Sequence, residues 1–576
     1  MLNSFDIAIV GGGPSGSTLG SMLRKYAPHL RVALIEKERF PREHIGESLL
    51  PTTGTVLHEI GAWDKIEAAG FPIKIGATYR WGSSDDLWDF NLVDTLRIKP
   101  DDPRPGKYAD WRVSSAFQVE RGLFDKILLD HAVSLGCHVS EGVGVQEVLK
   151  NGDRIEGLEL SDGSRIAASY YVDASGNSAV LRKAMGVDVE EPSALRNIAI
   201  WDYWENAEWA VSIGVGGTRV QVMSLGYGWL WFIPISPTRT SIGLVCPADY
   251  YKKSGKRTCE LYREAVRSEP RIAALTANGK PDGEVRATKD WSFLSKRMVG
   301  ANWFLAGESA GFADPILAAG ITLAMVGAKE CAYTLIELDR GEHDASWLRT
   351  EFEKRQTRRI LQHIRFANFW YSGNGHFSEL VEYTAEIARE AGFNMDAKSA
   401  WQWLGTGGFV SVETPGGLAG HSMEQIKNIQ SMLFKEETDW ALTRYNVFEV
   451  NIEGITVDKM PLYEQGKIRI GRVLRKGSVE LPVIGGFRIM LDILQRETQL
   501  APIIQALRAV TAKLGPLIAL SGLEALEVML KDGWVTGTYS IDQPLLRPQD
   551  IPRTPSIDWN HDVTDPKVRV SDVIKA

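Results

Sequence analysis

Three glycines near the N-terminus have the spacing that lets a protein backbone bind a phosphate group. Gly11, Gly13 and Gly16 follow the apolar run 5–10 and precede a helical segment that reaches about residue 26. In this pattern the first glycine permits a tight turn, the second lets a pyrophosphate approach the backbone, and the third lets helix and strand pack closely. The pyrophosphate would lie at a helix N-terminus, where free N–H groups favour negative charge. The candidate phosphate-binding residues are Gly11, Gly13, Pro14, Ser15 and Gly16.

A glutamate completes this motif. Glu36 ends a second predicted strand, 31–36, and lies twenty residues after Gly16. A carboxylate at this point can accept hydrogen bonds from ribose hydroxyls, and it would repel the 2′-phosphate of NADP. The strand, helix and strand form one βαβ unit of the kind that binds a dinucleotide. A glycine turn followed by an exposed glutamate, with no ligand, is the alternative.

Two later strand–turn segments distinguish FAD from NAD. Residues 171–176 end a strand in a turn that carries Asp173, and residues 303–311 end another in a glycine turn that carries Glu308. Together with the glycine motif, these segments match an FAD molecule stretched across the domain. The arrangement resembles the FAD-binding fold of aromatic hydroxylases and flavin-dependent halogenases. The resemblance implies that Glu308, where relatives usually carry aspartate, hydrogen-bonds the ribityl chain, and that a helix starting at Gly320–Ile321 points its N-terminus at the flavin.

Two tryptophans alternate on a predicted strand in the middle of the chain. Residues 228–234 read Gly-Trp-Leu-Trp-Phe-Ile-Pro, which fits the Trp-x-Trp-x-Ile-Pro signature of flavin-dependent halogenases without mismatch. Trp229 and Trp231 point to the same side of a strand. The resemblance implies that their indoles fill the space beside the isoalloxazine, so that no organic substrate reaches the flavin and direct oxygen insertion is blocked. A core strand with aromatic residues on one face is the alternative, and it is compatible with this role.

One lysine lies in an apolar segment after the stretch 46–51. Lys74 is flanked by Ile73 and Ile75, and it occupies the position of the catalytic lysine of halogenases. The resemblance implies that Lys74 receives hypohalous acid and delivers an electrophilic halogen, either as a hydrogen-bond donor to hypohalite or as a haloamine. An ammonium group offers three donors, and an apolar tunnel would lower its pKa. Judged by composition alone, a surface lysine is the alternative.

A turn before a long helix is a candidate halide site. Residues 311–322 read Gly-Phe-Ala-Asp-Pro-Ile-Leu-Ala-Ala-Gly-Ile-Thr, and backbone N–H groups in such a turn can form a nest for chloride. The family pattern assigns the halide to the N–H groups of Ala319 and Gly320. Tryptophan halogenases carry a glutamate where this chain has Leu317. The resemblance therefore favours the branch that halogenates phenols, pyrroles or acyl groups on carrier proteins over the free-tryptophan branch.

Three further residues are candidate flavin contacts by resemblance. Arg42 and Arg121 lie where the family places contacts to the flavin or its phosphates, and arginines in surface ion pairs are the alternative. Asp290 follows the predicted strand 286–289. A carboxylate near the dimethylbenzene edge of the flavin could form an ester to FAD, and this covalent attachment is the weaker hypothesis.

These residues require a cofactor layer and a second sheet to position them. The antiparallel strands predicted over about 197–300 cannot belong to a doubly wound layer, which suggests a substrate domain inserted within it. The fold class is therefore α/β, a Rossmann-like FAD-binding domain with an inserted antiparallel β-sheet. The core is predicted to cover residues 1–372. Residues 373–576 are predicted to form a mainly helical region, which in relatives shapes the substrate entrance.

Composition limits the other possibilities. A chain of 576 residues exceeds a single hydrophobic core, and a net charge of −8 with scattered basic residues does not favour nucleic acid or an anionic membrane. Its cysteines, 137, 246, 259 and 331, are widely spaced, so we expect neither disulfides nor a metal site, and a reducing cytoplasm fits. No apolar run reaches the length of a membrane span, and no signal peptide is recognised. We expect a soluble cytoplasmic protein.

The leading hypothesis is FADH₂-dependent chlorination or bromination of an electron-rich aromatic such as a phenol or pyrrole, free or bound to an acyl or peptidyl carrier protein, within antibiotic or other secondary metabolism. Since the sequence shows no second dinucleotide motif, a separate NADH-dependent flavin reductase is the expected partner. A flavin-dependent monooxygenase or reductase on the same fold is the second hypothesis, because Glu308 and the Ala318–Ala319 pair permit changed chemistry. A non-catalytic FAD-binding scaffold is the third.

Overall fold

The computed structural model describes residues 2–547, apart from 83–84, 94–103, 105–111, 113–114, 194, 384–385, 387–439, 478 and 515–516. The chain divides into two compact units. Among the described residues, the first unit comprises those up to 386 together with 465–467, and the second comprises the others from 440 onward. The first unit thus continues past residue 372, where the predicted core ends.

The first unit contains strands and helices in alternation. In chain order, its strands are β1 (Leu2–Val10), β2 (Val32–Glu36), β3 (Ile73–Arg80), β4 (Trp88–Asn91), β5 (Ala116–Phe117), β6 (His138–Glu141), β7 (Val145–Asn151), β8 (Arg154–Leu160), β9 (Arg165–Asp173), β10 (Val189–Glu190), β11 (Arg196–Glu205), β12 (Gly217–Leu225), β13 (Gly228–Pro234), β14 (Arg239–Pro247), β15 (Lys280–Pro281), β16 (Arg286–Trp291), β17 (Phe293–Ser295), β18 (Trp303–Leu305) and β19 (Gly311–Phe312). Its helices are α1 (Pro14–Tyr26), α2 (Pro51–Ile60), α3 (Trp63–Ala68), α4 (Arg121–Ser134), α5 (Val180–Ala184), α6 (Ala248–Ser254), α7 (Thr258–Ser268), α8 (Pro270–Leu275), α9 (Gly320–Arg340) and α10 (Ala345–Ser372).

A seven-stranded sheet holds the predicted dinucleotide unit. Its order is β6–β2–β1–β9–β8–β7, and β18 also pairs with β9. Strands β6, β2, β1, β9 and β18 are parallel. Strand β2 is buried along its whole length, as expected of a parallel strand covered on both faces. The carboxyl ends of β1, β2, β9 and β18 meet at one edge of the sheet, which is where open α/β sheets bind ligands.

The predicted inserted sheet is present and is larger than the sequence indicated. Nine strands form it, in the order β15–β11–β14–β13–β12–β3–β4, with β16 on β11 and β5 on β3. Strands β3 to β5 come from before the predicted insertion at 197–300. They join it because β3 pairs in parallel with β12, for example Ile73 with Gly217. No local pattern in the sequence reveals a pairing between segments this far apart.

The two faces of the nine-stranded sheet differ in their cover. One face packs against α7 and α8 in a hydrophobic cluster that includes Met223, Leu230, Phe232, Leu261 and Ile272. Because side chains alternate along a strand, Trp229 and Trp231 project from the other face. The aromatic end of α10 contacts this second face, where Tyr371 lies 5.8 Å from Trp81 between ring centroids.

An irregularity in β3 decides which face its lysine occupies. Lys74 pairs with Thr218, but the register then shifts so that Ile75 is an extra residue, as in a β-bulge. Thr218 lies on the same side of β12 as Val222, which pairs with Trp231. The bulge therefore places Lys74 on the tryptophan-bearing face, whereas strict alternation along β3 would turn it to the opposite face.

The described chain from residue 440 onward contains both helices and strands. The strands are β20 (Val447–Val450), β21 (Thr456–Glu464), β22 (Lys467–Lys476), β23 (Val479–Pro482) and β24 (Val535–Thr538), and the helices are α11 (Gly485–Leu494), α12 (Leu500–Leu514) and α13 (Leu517–Lys531). The helices accompany strands that the sequence analysis did not anticipate. They share one hydrophobic cluster, which includes Phe448, Phe487, Met490, Leu526 and Trp534. None of the helices in the described part of the chain is long and apolar enough to cross a membrane.

Candidate functional site

The glycine turn between β1 and α1 has the geometry that its spacing predicts. Gly11 has φ of +110°, and a Cβ atom on it would lie 2.3 Å from the carbonyl oxygen of Ala174. A Cβ on Gly16 would lie 1.9 Å from the carbonyl oxygen of Gly11. By contrast, among the described residues a Cβ on Gly13 would meet only the Arg42 guanidinium, at 3.4 Å. Protein packing thus requires the first and third glycines, while the second faces space that a ligand can use.

The start of α1 offers an anion-binding surface. The helix begins with Pro14 and has Gly13 as its N-cap, so the N–H groups of its first turn lack intrahelical partners. The hydroxyl of Ser15 is buried and makes no hydrogen bond within the described structure. Arg42, beside Gly13, stacks over Phe40 at 4.6 Å. A pyrophosphate at this point would supply acceptors for Ser15 and the first-turn N–H groups. Arg42, whose Nη1 also lies 3.4 Å from Asp125 Oδ2, would add a positive charge.

Two carboxylates organise the neighbouring turns. Glu36 is buried, and its oxygens accept hydrogen bonds from the backbone N–H groups of Gly12, at 2.6 Å, and Glu38, at 2.8 Å. Each carboxylate oxygen has a second lone pair available for a ribose hydroxyl. Asp173 accepts from Ser175 Oγ at 2.6 Å and from the N–H of Arg182 at 2.9 Å. Asp173 thereby fixes the turn whose carbonyl group, that of Ala174, lies next to Gly11.

Arg121 lies in a dense set of contacts. Its guanidinium binds Asp125 through two hydrogen bonds of 2.8 and 2.9 Å and donates to the carbonyl oxygen of Ile45 at 2.6 Å. Burial raises the pKa of Glu308, and the nearby Arg121 partly offsets this. A cavity of about 320 Å³ is lined by Arg42 and Arg121. The donors at Arg42, Ser15 and α1, with the acceptors Glu36 and Glu308, fit an elongated dinucleotide such as FAD.

The two tryptophans are buried and held by hydrogen bonds. Trp229 Nε1 donates to the hydroxyl of Tyr371 at 2.8 Å, and Trp231 Nε1 donates to Ser241 Oγ at 3.1 Å. Their ring centroids are 6.0 Å apart at an interplanar angle of 55°. A Cβ on Gly243 would come within 2.1 Å of the Trp231 ring, so only glycine fits opposite this indole. The pair forms a fixed aromatic wall on one face of the sheet.

The predicted halide turn is tied to this wall. Asp314 caps a short 3₁₀ turn, Pro315–Leu317, by accepting from the N–H of Ile316 at 2.9 Å. Ala318 follows with φ of +52°, and α9 then begins at Gly320. A left-handed residue before a helix start makes successive N–H groups converge, which is the geometry of an anion nest. The same carboxylate oxygen of Asp314 also accepts from the Tyr371 hydroxyl, at 3.2 Å, which links the turn to Trp229.

Lys74 is buried with 6% of its surface exposed. Its Nζ donates to the carbonyl oxygen of Leu49 at 3.1 Å. No carboxylate of the described residues lies within ion-pair distance of it, and burial alone lowers its pKa from 10.5 to about 7. The β-sheet spacing places its Cα roughly 16 Å from that of Trp231, two strands and four residues away. Lys74 and the aromatic wall therefore share a face without touching.

The remaining predicted site residues are placed as follows. Asp290 lies in β16, where its backbone pairs with Asn197, but its side chain is outside the described structure, and covalent attachment stays a prediction. Leu317 is buried. Within the part of the chain that the structure describes, no group of three or more His, Cys, Asp or Glu side chains could hold a metal ion.

Several polar residues of the site were missed by sequence reasoning. Tyr371 and Asn197 approach Asp314 only because three distant segments meet. Burial raises the pKa of Glu47 to about 7, against the lowering effect of the nearby Tyr203 and Ser241 hydroxyls and of two arginines. The Trp370–Tyr371 pair at the end of an aromatic helix was the only visible signal for Tyr371, and nothing local marked Asn197 or Glu47.

Two substitutions in the glycine turn should have separate effects, one on folding and the other on cofactor binding. We expect Gly16→Ala to destabilise the protein, because the added methyl overlaps a backbone carbonyl. Gly13→Ala should fold normally and lose affinity for FAD by at least about tenfold, since its methyl enters ligand space. Thermal unfolding and fluorescence titration with FAD measure the two effects. Unchanged FAD affinity in a folded Gly13→Ala variant would contradict the placement of the pyrophosphate.

Burial of Lys74 should make the free energy of unfolding depend on pH. The unfolded chain keeps Lys74 protonated up to about pH 10, whereas the folded protein loses this proton near pH 7. Lys74 therefore destabilises the fold fully below pH 7, and the penalty shrinks by about 1.4 kcal/mol per pH unit above it. Lys74→Met should raise the free energy of unfolding most at about pH 6, below the folded pKa, and less at about pH 9. Chemical denaturation at both pH values tests this, with the exposed Lys252→Met as the control.

Comparison with known proteins agrees with this geometry. A family model described as an FAD binding domain matches residues 4–366. The chain is 32% identical over 396 residues to a 1H-pyrrole-2-carbonyl-[peptidyl-carrier protein] chlorinase of Pseudomonas fluorescens, covering 66% of this chain and 86% of that protein. It is 31% identical over 361 residues to a tryptophan 2-halogenase of Chondromyces crocatus, covering 61% of this chain and 65% of that protein.

A solved structure is similar in fold over nearly the whole chain. The crystal structure of CmlS, a flavin-dependent halogenase, superposes with a TM-score of 0.70 and covers 95% of this chain and 98% of that one, at 23% identity. The predicted fold class and family are confirmed. With a matching cofactor domain and close halogenase relatives, the chain belongs to the FAD binding domain family, within which it is a flavin-dependent halogenase that uses FAD and halide.

Proposed function

We propose that this enzyme halogenates an electron-rich aromatic ring, a phenol or a pyrrole, and that Lys74 delivers the halogen. One observation carries the proposal: a buried lysine without an ion-pair partner among the described residues lies on the same sheet face as Trp229 and Trp231. A lysine kept in an apolar site at a cost in stability is typical of a functional amine. Its distance from the aromatic wall suits a small reagent that moves between two sites.

Each part of the proposed site would serve a different step of the reaction. When bound, reduced FAD supplies, together with O₂, the oxidising equivalent that converts halide into hypohalous acid. The turn before α9 would hold the halide through the N–H groups of Ala319 and Gly320. Trp229 and Trp231 would exclude the aromatic substrate from the cofactor, because their buried indoles are held in place by hydrogen bonds. Only a species as small as hypohalous acid would then reach Lys74.

The pKa of Lys74 near 7 suits both routes for halogen delivery. As an ammonium ion it donates hydrogen bonds to hypohalous acid and increases the positive character of the halogen. As a neutral amine it attacks the halogen, so that an N–halogen bond forms, the halogen–oxygen bond breaks and water leaves with the amine proton. In the ammonium route the ring carbon takes the halogen as the halogen–oxygen bond breaks, and the hydroxide leaves as water with the ring proton. In the amine route the ring carbon takes the halogen from nitrogen, and the ring proton restores the amine.

Carrier-bound acyl groups are the proposed form of the substrate. The P. fluorescens relative is named for a pyrrole attached to a peptidyl carrier protein, and Leu317 replaces the glutamate that marks the free-tryptophan branch.

We propose further that a separate NADH-dependent flavin reductase supplies reduced FAD, and that the region from 373 onward shapes the substrate entrance.

Removing the amine tests the delivery step. Lys74→Ala should reduce chlorination at least about 100-fold, the usual range for a lost proton-transfer or polarising group, while oxidation of reduced FAD continues and hydrogen peroxide is released. Product halide is measured by mass spectrometry and flavin oxidation by absorbance. The exposed Lys252→Ala, in α6, should match the wild type. A Lys74→Ala enzyme that still halogenates its substrate would overturn the assignment.

The substrate class requires a direct screen. The enzyme is incubated with a flavin reductase, NADH, FAD and chloride or bromide, with phenols, pyrroles, tryptophan and carrier-bound pyrrole or phenol acids in parallel. The expected product carries the isotope pattern of one or more halogens on a phenol or pyrrole ring, with carrier-bound acids preferred. Halogenation of free tryptophan alone, or hydroxylated products without halogen, would refute the proposal.

A further inference from the structure

A chain of hydrogen bonds joins the aromatic wall to the halide turn. An indole N–H is only a donor, so Trp229 Nε1 donates to the Tyr371 oxygen, at 2.8 Å. The single Tyr371 proton then goes to Asp314 Oδ1, at 3.2 Å. The same carboxylate oxygen accepts from the N–H of Ile316, at 2.9 Å, which fixes the turn that leads to Ala319 and Gly320. All of these side chains are buried.

A second set of contacts fixes the orientation of this chain. Asn197 Nδ2 lies 3.5 Å from Asp314 Oδ2 and 3.4 Å from the Tyr371 hydroxyl. The Tyr383 hydroxyl in turn donates to Asn197 Oδ1 at 3.0 Å. Both carboxylate oxygens of Asp314 are therefore engaged, Oδ1 by Tyr371 and Ile316 and Oδ2 by Asn197. Rotation of the carboxylate would break contacts on both sides.

The ring of Tyr371 is held independently of its hydroxyl. Its centroid lies 5.8 Å from that of Trp81 and 6.1 Å from that of Phe377. Loss of the hydroxyl alone would leave this packing in place. It would also leave a buried indole N–H and a buried carboxylate without their shared partner, which is unfavourable for both. The wall and the turn would then be free to adjust separately.

We infer that Tyr371 is a positioning residue that locks the aromatic wall and the halide turn into one unit, an inference that rests on the proposed function. Trp229 keeps its orientation because Tyr371 is anchored on Asp314, and the turn keeps its shape because Asp314 is anchored on Tyr371. Halide would therefore be held only where the wall is closed. Such coupling prevents hypohalous acid from forming while the organic substrate can still reach the flavin.

A matched pair of tyrosine variants tests this lock. Tyr371→Phe removes the linking hydroxyl. Tyr262→Phe removes an equivalent one, because Tyr262 accepts from Trp204 Nε1 at 2.9 Å and donates to the carbonyl oxygen of Ile242 at 3.2 Å. Tyr262 lies in the cluster on the opposite face of the same sheet. The two variants thus delete the same kind of bond, and only one of them touches the halide turn.

The readout is hypohalite formation without any aromatic substrate. Hypohalite is trapped by a small cyclic diketone while reduced FAD and O₂ are kept constant and chloride or bromide is varied. For Tyr371→Phe we expect the KM for halide to rise about tenfold, the effect of leaving buried polar groups unpaired, and hydrogen peroxide to replace trapped hypohalite. FAD affinity and the rate of FADH₂ oxidation should stay at the wild-type values. Tyr262→Phe should keep the wild-type halide KM even where its melting temperature falls.

Trp229→Phe approaches the lock from its other end. The substitution removes the indole donor and leaves the residues of the halide turn unchanged. If the lock exists, the halide KM of Trp229→Phe should rise as well. This variant can therefore test the inference even where Tyr371→Phe does not fold. An unchanged halide KM in a folded Tyr371→Phe or Trp229→Phe variant, or an equal rise in Tyr262→Phe, would overturn the inference. Absence of trapped hypohalite from the wild-type enzyme would instead reject the proposed function itself.

Discussion

Burial of an ammonium group with no compensating carboxylate among the described residues is the constraint on which this site depends. Lys74 lies in a sheet among apolar neighbours, and its one hydrogen bond in the described structure goes to the neutral carbonyl of Leu49. Water is lost and no opposite charge from the described part of the chain replaces it, so the pKa falls toward neutrality. A structural lysine would snorkel to the surface instead. The sheet therefore holds an amine with a pKa close to neutrality at the expense of its own stability.

The position of this amine depends on one irregularity in strand pairing. Parallel pairing of β3 with β12 carries the residues around 74 into a sheet formed mostly by a segment more than a hundred residues later. The extra residue, Ile75, then turns Lys74 to the face that bears Trp229 and Trp231. In a sheet with perfect alternation the amine and the aromatic wall would lie on opposite sides. The bulge is thus as important to the site as the lysine itself.

Polar contacts across elements give the rest of the site its rigidity. Asp314 accepts hydrogen bonds from the turn before α9, from Tyr371 of α10 and from Asn197 of β11, so that three elements share one buried carboxylate. Asp173 plays a comparable part at the cofactor edge, where it orders the turn that touches Gly11. Both carboxylates connect parts of the chain that sequence distance separates. A low-dielectric interior strengthens such networks and makes an unpaired member costly.

The sequence by itself determined the elements whose signals are local. Glycine spacing, the carboxylate at the end of β2 and the Trp-x-Trp pattern each lie within one short segment, and the backbone geometry they require is the same in any context. They sufficed for the α/β class, the FAD edge and the family. Tertiary structure alone decided the membership of β3 in the nine-stranded sheet, the face of Lys74, the strands from residue 447 onward and the partnership of Tyr371 with Asp314. Those features arise from contacts between distant segments, and burial and pairing of that kind leave no periodic trace in the chain.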